Sequence, residues 1–180
     1  MNVIATFADF EIYPLTKELA EKYAQDIIET LDLIPEVANH TKEGLLSEKK
    51  GDRILHAKWE HSIIALTKEK QFAGVIIGYE REKEGNEQYP ENCIYLNSIA
   101  VSSNYQKHGL GKELTKTWIR WNSTQGFLEL TGPTRFAVQT NSADWNTHVQ
   151  RLYESCDFVK TAEKQYDNRT DTVYTLVVKN

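Results

Sequence analysis

The chain has 180 residues, 40% hydrophobic and 26% charged, which is enough for one domain with a sizeable core over 1–180 and requires no second one. Lys and Arg number 21 against 26 Asp and Glu, a net charge of -5; this argues against a nucleic-acid binder, whose affinity is built from cation–phosphate contacts. No stretch reaches the roughly 20 apolar residues of a membrane span, and the first residues lack a secretory signal's basic start and apolar run.

The expected location is therefore cytoplasmic, with no membrane partner. Cys93 and Cys156 lack disulfide-framework or zinc spacing and read as unpaired core thiols.

In chain order, residues 4–13 alternate loosely and stop at Pro14, which predicts a first strand. Thr16 is a helix N-cap, and Leu19, Tyr23, Ile27 and Leu31 form the buried stripe of a first helix. A second short helix is expected after Pro35, with Gly44 or Gly51 near its end. His56 and His61 flank Trp59 at a spacing of five, whereas a helical zinc pair needs four, so they are read as surface or interface residues and no metal is expected. Residues 63–67 and 72–79 predict a β-hairpin, and the charged run 80–87 a solvated loop.

The informative stretch is 93–126. Residues 94–101 read as a buried strand, 102–108 as a polar turn, and Gly109-Leu110-Gly111 as the entry to a long helix. Leu110, Leu114, Trp118 and Trp121 mark its apolar face and leave Lys112, Glu113, Lys116 and Arg120 to solvent. The first turn of a helix has amides without intrahelical partners and a partial positive charge, so a glycine turn there admits a phosphate. Lys107, His108 and Lys112 add positive or protonatable side chains around it.

A Walker loop is excluded because Gln106 stands at its first glycine and Glu113 at its hydroxyl position. The dinucleotide fingerprint is excluded because Leu114 replaces its third glycine. Further strands are expected at 135–140, 158–163 and 172–178, with a helix from Asn146. Strands and helices alternating around the central βα unit predict an α/β or α+β three-layer domain with a mixed sheet.

Gln106-Lys107-His108-Gly109-Leu110-Gly111, after a strand ending Ile99-Ala100-Val101, resembles the [Q/R]-x-x-G-x-[G/A] pyrophosphate loop of the GNAT N-acetyltransferase superfamily. Residues 146–158, NTHVQRLYESCDF, are similar to that family's N-x6-L-Y-E-x-x-G-F segment, with Asp157 at the usual glycine. On a helix Asn146, Val149 and Tyr153 share one face, the amide and phenol about 10 Å apart along the axis. Asp tolerates the left-handed conformation better than most residues, so the helix end survives.

The resemblance implies a central, mostly antiparallel mixed sheet flanked by helices, with acetyl-CoA as co-substrate and no metal. It implies that backbone amides near Ile99, Ala100 and Val101 meet the pantetheine arm where the strand splays, a place that polar Asn97 and Ser98 suit. Gln106, Lys107, His108, Gly109, Leu110, Gly111 and Lys112 would hold the phosphates, and Asn146 would track the arm.

Acetyl transfer to an amine needs a held carbonyl oxygen, a neutral amine and a proton for the departing thiolate. Tyr153 is the expected proton donor, since a phenol pKa near 10 lies above a thiol pKa near 8.5. Some members of the family carry a glutamate base on the central strand, but Tyr95 stands there. Glu80 and a water relay remain as alternatives.

The expected reaction is direct attack in a ternary complex. The acceptor is a small-molecule amine, a protein lysine or an N-terminal amine, and a net negative protein would suit a cationic one. A longer acyl-CoA, a non-catalytic CoA sensor of the same fold and a homodimer are compatible with the same residues.

Overall fold

A computed structural model describes residues 2–34, 40–50, 53–55, 58–81, 93–125 and 133–179. In chain order the strands are β1 (Ala5–Phe7), β2 (Phe10–Pro14), β3 (Lys49–Lys50), β4 (Arg53–Ile54), β5 (Ile63–Thr67), β6 (Phe72–Arg81), β7 (Cys93–Val101), β8 (Thr134–Asn141), β9 (Val159–Tyr166) and β10 (Arg169–Val178). The helices are α1 (Lys17–Lys22), α2 (Ala24–Leu31), α3 (Lys42–Leu46), α4 (Leu110–Thr124) and α5 (Thr147–Glu154). Eight strands form one sheet in the order β1-β2-β5-β6-β7-β8-β10-β9, and β3 and β4 pair separately. Every pairing in the large sheet is antiparallel except β7 with β8. The expected three-layer mixed sheet is therefore the observed one.

The first predicted strand is two. Ala8, at φ 50, turns the chain so that residues 5–7 fold back on 10–12 as a hairpin. The first predicted helix is also broken, at Tyr23. Its four stripe residues are nevertheless all buried, and Thr16 accepts the Leu19 N–H at 3.2 Å as the N-cap. Gly44 lies inside α3 rather than ending it. Pro35, Gly51 and His56 lie outside the described residues, as does all of the charged run beyond Arg81; Glu80 and Arg81 themselves belong to β6.

One face of the sheet packs on α1, α2 and α3 through Leu19, Tyr23, Ile27, Leu31 and Leu45 against Ile64, Leu66, Val75, Ile77 and Ala100. The other packs on α4 and α5 through Leu110, Leu114, Trp118 and Tyr153 against Ile76, Ile94, Leu96, Phe136, Val138 and Tyr174. Trp118 is wholly buried, edge-on to Phe136 at 5.2 Å, and its indole N–H donates to His61 O at 2.5 Å. Burying so large a ring is affordable because its one polar atom has a partner.

His61 is not the surface residue expected from sequence. It is fully buried beneath α4, with Nδ1 2.5 Å from Asn122 Oδ1 and Nε2 3.2 Å from Glu80 Oε1. Burial removes it from water, and these polar partners offset the desolvation. Cys93 and Cys156 are buried and form no disulfide, as expected.

Gly78 is where the strand and α4 approach most closely: a Cβ there would stand 2.6 Å from His61 O and 2.9 Å from Trp118 Nε1. Gly78→Ala should destabilise the fold by about 2 kcal/mol through overpacking. Gly111→Ala, whose Cβ would meet Val101 Cγ2 at an ordinary 3.7 Å, should leave the thermal midpoint within a degree or two of wild type. Paired thermal melts check both.

Candidate functional site

The site begins with a fault in β7. β6 and β7 stay in register up to Gly78 opposite Leu96, but Ile77 then faces Ser98, so Asn97 is an extra residue on β7. Ile94 and Leu96 before the bulge, and Ile99 and Val101 after it, all face α4, although their positions have changed from even to odd. At the same point β7 leaves β8: the parallel pairing covers Ile94 to Leu96 opposite Phe136 to Val138. A bulge bends its strand and strengthens the local twist, which carries residues 97–101 away from β8. The result is a cleft opening between two strands of a continuous sheet.

At the mouth of this cleft the chain turns into α4. Ser102 N–H donates to Ala73 O at 2.9 Å, and Gln106 donates its side-chain amide to Val101 O at 3.0 Å, tying the turn to the strand end. Lys107 and Gly109 both take positive φ, 66 and 82. No side chain caps the helix. Glu113 N–H bonds back to Gly109 O at 3.1 Å, so the amides of Leu110, Gly111 and Lys112 precede the first intrahelical bond. Lys107, His108 and Lys112 are exposed around them, while Leu110 anchors the turn in the core. Amides, dipole and cations converge, and at Gly109 no Cβ stands in the way; a pyrophosphate fits this cradle.

Along the strand, Ala100 points to the α2 face, and Ile99 and Val101 to the α4 face. The backbone of 97–101 is therefore what borders the cleft. Asn146 sits across it at the start of α5, buried, with Nδ2 donating to Thr140 Oγ1 and to Asn141 O, each at 2.7 Å. Both amide hydrogens are committed to the end of β8, so only Oδ1 remains to meet a ligand.

Tyr153 is 3% exposed and packs between Phe158 and Tyr174 at 5.8 and 6.0 Å between ring centroids. Burial, with a lesser contribution from Cys156, holds its phenol well above the ordinary tyrosine value. The phenol is therefore held in its neutral form. The turn after α5 relies on Asp157 at φ 66, where Asp replaces the more usual glycine as expected, and Phe158 N–H reaches back to Tyr153 O at 3.2 Å.

On the α2 side the cleft meets a cavity of about 640 Å³, which Asn97 and Ser98 line at the bulge. Alternation along β6 sends Tyr79 and Arg81 into it and Glu80 to the opposite face, toward His61 and α4. Glu80 is thereby separated by the sheet from the cavity and is no candidate base for chemistry there. The cavity wall was missed in the sequence reading, since its residues come from α2, α3, β3, β6, β7, β8, β9 and β10 and the segments between them.

Asp171, 4% exposed, accepts from Gln139 at 2.7 Å, and Arg169 Nε stands 3.2 Å from its Oδ1. Burial raises the Tyr166 phenol, but hydrogen bonds from Gln139 and Lys164 outweigh it and the net shift is downward. Among the described residues no cluster of His, Cys, Asp and Glu could hold a metal, and no helix is long and apolar enough to cross a membrane.

A mixed sheet split at a bulge, with an open helix start at the mouth of the split, is an arrangement that could hold an extended, phosphorylated ligand. The chain matches the Acetyltransferase (GNAT) family over residues 26–158 and belongs to it. Solved structures of similar fold include the ribosomal-protein-S18-alanine N-acetyltransferase from Escherichia coli, at 18% identity and TM-score 0.64 over 95% of each chain. The NatC complex bound to Gag peptide and CoA aligns at 16% identity and TM-score 0.69 over 96% of this chain and 100% of that one. Spermidine N-acetyltransferase from Vibrio cholerae, in complex with CoA and spermine, aligns at 12% and 0.64 over 94% and 96%. No curated protein sequence matches the chain.

Lys58, in the cavity wall, donates to Leu45 O at 2.5 Å and Ser47 O at 2.9 Å, and burial lowers its pKa from 10.5 to about 8. Below pH 8 it is charged both folded and unfolded. Between 8 and 10.5 the folded protein releases the proton first, so stability attributable to Lys58 rises with pH. Relative to Lys58→Met, wild type should gain on the order of 1–2 kcal/mol over that window after allowance for solvent screening. Parallel denaturant titrations across the window check the sign and size.

Proposed function

We propose that the chain, as one domain over 1–180, transfers an acetyl group from acetyl-CoA to a primary amine by direct attack in a ternary complex. The observation that carries this reading is the bulge at Asn97, which opens the sheet between an anion cradle on one side and a cavity on the other. An extended thioester laid along 97–101 would have its phosphates at the cradle and its reactive carbon facing the cavity.

In this reading Gln106 holds the loop closed on Val101. The amides of Gly109, Leu110, Gly111 and Lys112 receive the pyrophosphate, and Lys107, His108 and Lys112 offset its charge. Backbone groups of Ile99, Ala100 and Val101 pair with the pantetheine arm as a further strand would, and a free amide there polarises the carbonyl. Asn146 Oδ1 accepts from an amide of the arm.

The amine nitrogen forms its bond to the acyl carbon, the carbon–sulfur bond breaks, and the amine's surplus proton leaves through water. Tyr153 donates a hydrogen bond and then its proton to the departing sulfur, and the water that carries the amine's proton returns one to the phenol. Its raised pKa keeps that proton in place until the thiolate develops, and with Glu80 on the other face of the sheet the base is water. The fold-level likeness to N-acetyltransferases supports nitrogen as the acceptor atom.

Calorimetric titration with acetyl-CoA should show specific binding that Gly109→Glu weakens on the order of a hundredfold, since charged hydrogen bonds at the cradle are lost and a carboxylate is added. Absence of binding by the native protein would end the reading. Tyr153→Phe should lower turnover on the order of a hundredfold with acetyl-CoA affinity unchanged; unchanged turnover would remove Tyr153 from the chemistry, and no turnover in the native protein would favour a CoA sensor.

A further inference from the structure

Among the described residues, the lining of the cavity beyond the bulge carries more cations than carboxylates, although the whole chain is net negative. Among the described residues Lys49, Lys58, Arg81, Lys164 and Arg169 line it, against the single carboxylate of Asp171. That carboxylate is already engaged by Arg169 and Gln139. The aromatic rings that would attract a cationic ligand carry the protein's own cations: Arg81 lies 4.8 Å from the Tyr95 ring centre, and Lys164 and Arg169 each lie 5.1 Å from that of Tyr166. An ammonium entering here would meet occupied ring faces and like charge, whereas an anion would meet the opposite sign in a partly enclosed space.

We infer that the acyl acceptor is an amine that also carries an anionic group, a carboxylate or a phosphate, held by the cations of this cavity with its amine directed to the bulge at Asn97. Lys49 is exposed and Lys164 half-buried at the rim, where they can turn toward a ligand, while Lys58 is fixed in the wall by two backbone carbonyls. The same field assists the reaction. Positive charge near an amine disfavours its protonated form, so the nucleophile is presented neutral without a dedicated base. The polyamine class that a net negative chain would suggest is disfavoured by this wall.

The inference rests on the acetyltransferase reading, and two measurements keep their failures apart. Calorimetry with acetyl-CoA tests that reading alone. Release of CoA thiol is then followed with L-glutamate and O-phosphoethanolamine as the anionic acceptors, ethanolamine as the acceptor without a second charge, and putrescine as the cationic one. At least one anionic acceptor should exceed ethanolamine and putrescine about tenfold in kcat/KM, and the better of the two identifies carboxylate or phosphate.

The double variant Lys49→Glu, Lys164→Glu should reduce that kcat/KM about tenfold and leave the KM for acetyl-CoA unchanged, and added salt should reduce it in wild type. Best use of putrescine, or a rise in the KM for acetyl-CoA alone in the double variant, would overturn the inference. If acetyl-CoA binds but no amine of the panel is acetylated, calorimetric titration of the acetyl-CoA-loaded protein with L-glutamate and O-phosphoethanolamine decides it: saturable binding weakened by the double variant supports an anion site, and absence of heat overturns it.

Discussion

One inserted residue governs the architecture. Asn97 has no counterpart on β6, and the twist it introduces is where β7 and β8 part company. The β7–β8 pairing ends at Leu96, directly before it. Beyond it, residues 98–101 stay paired to β6 while parting from β8.

The two layers of helices answer different needs around this opening. α4 is tied to the sheet by Trp118, His61 and the close approach at Gly78. That attachment is rigid, and it aims the open first turn of α4 at the mouth of the cleft. The α2 and α3 side is less complete: its apolar packing ends near Ile77 and gives way to the cavity lined by Tyr79, Tyr95 and charged side chains. Close packing lies on the α4 side, and polar and charged side chains gather on the α2 and α3 side.

Buried polar groups separate structural from functional roles. His61, Asn122 and Glu80 satisfy one another beneath α4, and Asn146 spends both amide hydrogens on β8. That commitment leaves the Oδ1 of Asn146 as its one polar atom for a ligand. Membership in the GNAT family does not assign an acceptor.

The turn into α4 and the end of α5 were legible in sequence because their determinants are local. Gln106 to Gly111 form one continuous turn, helix spacing marks the face of α4, and Asp157 sits at a helix end that calls for a left-handed residue. The bulge is absent from the reading of 94–101 as one strand, although its signal is there in the switch of apolar residues from even positions at Ile94 and Leu96 to odd ones at Ile99 and Val101, a change of phase that a strand of period two cannot otherwise absorb. The hairpin at Ala8 and the burial of His61 left no such trace, because a single residue's φ and a partner 61 positions away carry no periodicity. The cavity is the extreme case. Lys49, Arg81, Lys164 and Arg169 are unremarkable surface residues in the chain, and only tertiary structure, by setting the sheet order and the face of each strand, gathers like charges that no local pattern relates.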